Sequence, residues 1–354
     1  MRENFCPSSD NKPRRAVGFW LLAVALVILG MITIGGLTRL TGSGLSITEW
    51  KPIMGAIPPL NEAAWADAFA KYQRIPQYIL ENRGMTLEQF KGIFWWEWIH
   101  RFLGRLLGVV FFVPFVWFAA TGAIKRSEAL RFVVLFLLGG LQGVIGWWMV
   151  TSGLETRVSV SQYRLAIHLG AALLLLVAIL WIALEYLRAP APIGAEPTKS
   201  QSTGMSKRAT GFVALVYGQM LLGALVAGLH AGLIYNTWPD MNGRVFPEDP
   251  FYLSPFWKNF FENEGLAQFD HRIGAYIVAG FAAWIYAQGI KLSGHAKTSA
   301  KAVAIVTIFQ IFLGICTLLL MAPVWLSAAH QVTAALLLCA AVWHAYELRV
   351  YQPR

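Results

Sequence analysis

The sequence predicts an all-α integral membrane protein, with eight transmembrane helices arranged as two parallel, pseudo-repeated four-helix bundles. Three observations carry this expectation. The 354 residues are 56% hydrophobic and only 14% charged, against about 45–50% and about 25% for a soluble domain. Eight apolar runs, 16–37, 98–119, 130–151, 163–187, 209–234, 269–290, 300–321 and 325–347, approach or exceed the roughly 20 residues that cross a bilayer as a helix. The second four runs also repeat polar landmarks of the first four. Backbone groups left unpaired in hydrocarbon are too costly for open strands, and the alternation of a membrane barrel is absent.

The landmarks set the repeat. Span two opens on His100 and Arg101, and span six on His271 and Arg272. Span three contains Gln142 with Gly146 four residues on, and span seven Gln310 with Gly314. Span four begins its apolar run at His168 and span eight at His330. Because four is even, both halves cross in the same sense, which makes the repeat parallel. The Pro-, Gly- and Ser-rich stretch near 189–206 separates them. The expected division is a cytoplasmic tail (1–15), an N-terminal four-helix half (16–188), a cytoplasmic linker (189–208) and a C-terminal four-helix half (209–354).

The net charge of +10 orients the chain rather than marking a nucleic-acid partner. Lys12, Arg14 and Arg15 precede span one; Lys125, Arg126 and Arg131 follow span two; Lys199, Lys207 and Arg208 follow span four; Lys291, Lys297 and Lys301 follow span six. These segments share one side of an eight-span chain, and the positive-inside rule makes it cytoplasmic, with both termini inside. The loop after span five instead carries Asp240, Glu248, Asp249, Glu262 and Glu264. Cys6, Cys316 and Cys339 form no disulfide framework, and the short N-terminal segment resembles neither a transit peptide nor a cleaved signal. The expected location is a bacterial inner (plasma) membrane. Two outer loops are long: 38–95, with short amphipathic helices near 61–73 and 86–94, and 235–268. Loops of that length are usually functional.

Of the seven histidines, His295 falls in an inner loop, His344 near the inner end of span eight and His230 at the outer end of span five. His100, His168, His271 and His330 open the even-numbered spans at one common depth. An ionisable side chain in a span is expensive and points to function; the plainer reading is a headgroup-level histidine bonded to a neighbouring helix. Zinc prefers three or four converging ligands, often with thiolate help. Two imidazoles per half with no thiolate suit the two axial positions of a haem iron. Arg39, Arg101, Arg105 and Arg272 could pair haem propionates or snorkel to the interface. Gly104, Gly108, Gly170 and Gly274 could admit a flat macrocycle or simply pack helices. Glu97 lies three residues before His100 and so shares its helix face, whereas the corresponding Gln268 is uncharged. A carboxylate in one half only suggests chemistry there, unless Glu97 merely complements the helix dipole.

The run GGLTRLTGSGLSITEWKPIMGAIPP (35–59), EWIHR (97–101), FDHR (269–272) and AAHQ (328–331) resemble the heme A synthase family, in its proteobacterial and mitochondrial branch, across essentially all eight spans. The resemblance implies oxidation of the C8 methyl of heme O to a formyl group, giving heme A for cytochrome oxidase. It implies that His271 and His330 ligate a haem b cofactor, that His100 and His168 flank the heme O substrate, and that Glu97 stands near the reacting methyl. It also implies heme O synthase as a partner in the same membrane. The outer-loop cysteine pairs of some relatives are absent. Two rival readings stay open: a di-haem cytochrome b exchanging electrons with quinone, and a haem transporter or chaperone without chemistry. The electron acceptor and the oligomeric state, a homo-oligomer included, are not legible in the sequence.

Overall fold

The structure, a computed structural model, describes residues 11–188 and 201–350. Its helices are α1 (Asn11–Leu40), α2 (Glu62–Tyr72), α3 (Pro76–Leu80), α4 (Leu87–Ala120), α5 (Arg126–Leu154), α6 (Gln162–Leu187), α7 (Gln201–Gly228), α8 (Asn259–Glu262), α9 (Glu264–Gly289), α10 (Gly294–Leu319) and α11 (Val324–Val350). There is no strand among the described residues. Local chemistry sets several starts. Thr86 and Gln89 form a reciprocal capping box at α4, and the Asn263 side chain accepts from Leu266 N at α9; both satisfy amides that a helix leaves open.

Among the described residues seven helices are long and apolar enough to cross a membrane: α1, α4, α5, α6, α7, α10 and α11. α9, the expected sixth span, is 26 residues long but is not among the seven. Asp270, His271 and Arg272 near its start, and Tyr276, Trp284, Tyr286 and Gln288 further on, dilute its apolar run.

Burial separates inner from outer helices. In the apolar windows of α1, α6, α7 and α11, 44%, 39%, 33% and 39% of residues are buried in the protein, against 6%, 11% and 17% in α4, α5 and α10. The outer helices expose Val109, Val113 and Trp117 on α4, Leu137 and Leu141 on α5, and Ile305, Ile308 and Phe312 on α10. An apolar patch this large would be a liability in water; facing lipid it costs nothing. Among the inner helices, α1 packs on α6 and α11, α6 on α7 and α11, and α7 on α11, while α4 leans on α1 and α9 on α7. Val17, Leu21, Leu173, Leu176, Phe212 and Leu338 fill the shared core.

Three expected boundaries move. The helix expected at 86–94 is not separate: residues 87–97 are the first turns of α4. This places His100 more than three turns into its helix, whereas His168, His271 and His330 sit in the second turn of theirs. The segment is amphipathic, with Phe90 and Phe94 buried against Tyr72, and so shows no apolar run. Residues 201–208, expected as linker, belong to α7, and 11–15, expected as tail, to α1; residues 1–10 and 189–200 lie outside the described residues.

Candidate functional site

Each of the four histidines rests against a glycine of the preceding long helix. A Cβ built on Gly35 of α1 would lie 2.8 Å from Cε1 of His100 on α4. The corresponding distances are 3.1 Å from Gly146 of α5 to His168 on α6, 3.1 Å from Gly223 of α7 to His271 on α9, and 2.9 Å from Gly314 of α10 to His330 on α11. Only a residue without Cβ lets the imidazole lie this close to the neighbouring backbone. The same contact therefore recurs once in every successive pair of long helices.

Three of the four pairs add a glutamine one turn before the glycine. Gln219 Nε2 donates to His271 O at 2.8 Å and lies 3.0 Å from its Nδ1. Gln142, in the amide orientation that satisfies both its ends, donates to His168 O at 3.3 Å, lies 3.2 Å from its Nδ1 and accepts from Ala172 N at 3.1 Å. Gln310 Nε2 lies 3.4 Å from His330 Nε2. In the fourth pair the position is Met31, and His100 Nδ1 is buried without a partner. Gln142 and Gln310 stand out in the sequence as repeat markers, whereas Gln219 does not, although it keeps the same four-residue spacing to Gly223.

The histidines pair within each half. The His271 and His330 ring centres are 6.5 Å apart with their planes at 84°. A metal–imidazole bond of about 2 Å on each side, plus about 1 Å from each nitrogen to its ring centre, separates two axial rings by roughly 6 Å. The C-terminal pair thus fits a haem iron between two imidazoles. His100 and His168 lie within electrostatic range of each other. The buried side-chain atoms without partners among the described residues include Nδ1 of His100 and His330, Nε of Arg39 and Arg272, and Nη1 of Arg105, besides atoms of Trp98, Gln219, Gln310, Thr317 and Ser327. The histidine and arginine atoms are donors that an iron-bound macrocycle and its propionates could use. Among the described residues no group of three or more His, Cys, Asp or Glu could hold a bare metal ion.

Glu97 and Gln268 are both buried, at 3% exposure, and do parallel jobs. Glu97 Oε2 accepts from Ser46 Oγ and Ile47 N, both at 2.8 Å, and Oε1 accepts from Arg101 at 2.6 and 3.1 Å. Gln268 donates to Ala231 O at 2.9 Å and Tyr235 O at 3.2 Å, and its Oε1 accepts from Arg272 at 3.1 Å. The arginines extend the pattern. Arg101 donates to Ile47 O and Glu49 O, Arg105 to Lys51 O and Pro52 O, and Arg272 to Tyr235 O, Thr237 O and Asp240 O. These side chains fasten each long loop to the helix that bears the histidine. The dipole reading of Glu97 does not hold, because it sits well past the first turn of α4, where that effect has decayed.

The remaining residues sort simply. Arg39 Nη2 donates to Ala227 O at 3.0 Å and lies 2.7 Å from His230 Nε2, joining the two halves. His344 is buried against Ser299 Oγ at 2.9 Å, away from the other histidines, and His295 lies in the first turn of α10. Gly170 is packed by Tyr217 and Leu221 and Gly274 by Gln219, while Gly108 faces open space; the first two are close helix contacts rather than room for a ligand.

Fold and site define an all-helical membrane protein built around paired histidines. The chain matches the COX15-CtaA family model, described as cytochrome oxidase assembly protein, over residues 18–342, and it belongs to that family. It is 48% identical over 333 residues to a protein of Parvibaculum lavamentivorans named heme A synthase, covering 94% of each chain. Similar matches are the heme A synthases of Azorhizobium caulinodans (48% over 341 residues, 96% of this chain and 95% of the relative) and Brucella anthropi (46% over 346 residues, 95% and 93%).

Proposed function

We propose that this chain is a heme A synthase, oxidising the C8 methyl of heme O to a formyl group. The observation that carries the reading is near-full-length identity to proteins of that name; the geometry supplies residues for it. The bundle spans a bacterial inner membrane eight times, α9 included, with termini inside and the long loops outside. The packing supports two related halves, since α1 stands to α4 and α6 as α7 stands to α9 and α11.

In the C-terminal half, His271 and His330 would hold a haem b, and the unpartnered Nε of Arg272 would be left for a propionate. When bound, that haem supplies a one-electron relay. In the N-terminal half, His100 and His168 flank heme O, and Arg39 and Arg105 keep buried N–H groups for its carboxylates. Glu97 lies three residues before His100 on α4 and so on the same helix face. Its oxygens accept four hydrogen bonds, two of them charge-assisted, an arrangement that suits a fixed anion. Of the two roles open to it, proton acceptor and stabiliser of positive charge developing beside the macrocycle, the second needs none of these bonds to break. Heme O synthase would deliver the substrate through the same membrane.

Expression together with heme O synthase, followed by pigment extraction, tests the proposal. Heme A beside haem B is the expected result. Haem B alone, in two copies per chain, would replace the synthase with a di-haem electron carrier.

A further inference from the structure

The glutamine contacts divide the histidines in a way the reaction can use. Gln219 grips His271 at both its carbonyl and its Nδ1, and Gln142 grips His168 in the same way; Gln310 reaches the His330 ring more loosely. Gln310 meets His330 at Nε2, and the buried Nδ1 of His330 has no partner, as that of His100 has none; what sets His100 apart is that no glutamine reaches its ring, the corresponding position being Met31, an apolar side chain whose Cε lies beside Gly104. A ligating imidazole is ordinarily held by a hydrogen bond at its other nitrogen, and loss of that bond costs about 10–100-fold in affinity.

We infer that Gln142, Gln219 and Gln310 are positioning residues that hold their imidazoles in one orientation, and that Met31 leaves His100 as the one ungripped ring, so that the N-terminal half releases its haem while the C-terminal half retains its own. This rests on the two-site reading above. A synthase must keep a cofactor and discharge a product although both are iron porphyrins of nearly the same size, and shape alone separates them poorly. A gripped pair opposite a half-gripped pair supplies the difference in residence time from within the protein.

The test uses the full-length protein purified from cells making heme O, with apomyoglobin as haem acceptor. The pyridine spectra of the transferred and retained haem distinguish haem B from haem O and heme A. In the wild type, haem O and heme A leave first. Met31→Gln, nearly equal in volume, should slow their transfer at least tenfold and leave haem B unchanged. Gln219→Ala should speed haem B transfer about 10–100-fold and leave the other pigments unchanged. Unaltered transfer in Met31→Gln overturns the inference, as does unaltered haem B transfer in a monodisperse Gln219→Ala protein. If Gln219→Ala aggregates, Met31→Gln decides alone. A wild type holding only haem B defeats the synthase reading instead; the grip is then judged by whether Met31→Gln slows the faster of two haem B populations.

Discussion

The loop anchors of the two halves differ by little more than a carboxylate and an amide. Glu97 with Arg101 and Gln268 with Arg272 occupy matching helix positions, four residues apart, and each pair ties down the loop that follows the preceding long helix. The mechanical task is the same, so an amide suffices for it. The buried charge at Glu97 is therefore surplus to anchoring, and burying a charge is expensive unless it is bonded on all sides. At this matched pair of positions only the N-terminal half carries the charge, which Ser46, Ile47 and Arg101 bond, and that difference is what the chemistry proposed for Glu97 would use.

The comparison can be broken at four places. The largest effect is expected from His271→Ala, which should abolish the low-spin haem b spectrum while His100 and His168 remain; an unchanged spectrum removes His271 from the ligands. Next, Glu97→Gln makes the first half resemble the second. The protein should stay folded and coloured while heme A formation falls on the order of a hundredfold and heme O accumulates, read by chromatography of extracted pigments; wild-type heme A would return Glu97 to anchoring alone. Gln268→Glu runs the exchange backwards. An added negative charge favours oxidised iron, so the haem b midpoint should drop on the order of 50 mV in a redox titration; no change would place Gln268 too far from the haem to matter. The smallest contrast is Gly35→Ala with Gly108→Ala. The first drives a methyl to 2.8 Å from His100 and should perturb binding of added heme O, while the second has nothing within 4 Å and should be neutral or stabilise α4 by up to about 1 kcal/mol. Equal behaviour of the two in heme O titration and thermal melting would erase the significance of the glycine contact.

Much of this was legible in the sequence because lipid imposes a simple rule: long apolar runs become helices, and polar residues within them need a reason. That rule accounts for seven of the eight expected spans and drew attention to His100, His168, His271 and His330. It could not join the short helix expected at 86–94 to span two, since Phe90 and Phe94 bury against loop residues rather than facing lipid. The run at 269–290 reads as a span, but the polar residues around His271 thin it, and α9 is not among the seven helices long and apolar enough to cross a membrane. The arginine partners were hidden for a different reason. Backbone carbonyls of an irregular loop have no sequence identity, so Arg101 and Arg272 read equally well as propionate donors or as snorkelling side chains. Gln219 was within reach through its spacing to Gly223, but in one helix that spacing is common, and only its recurrence against a histidine ring gives it meaning.

Adjacent glycines on α1 carry one further consequence. Gly35 touches the ring of His100, while Gly36 is covered by Gln331, the neighbour of His330 in sequence, whose amide donates to Ile32 O at 2.7 Å. The peptide unit joining them is a stiff plane, so α1 is a shared wall with one centre on either side. On the two-site reading proposed above, a displacement of His100 would reach the Gln331 side of α1 across a single peptide link.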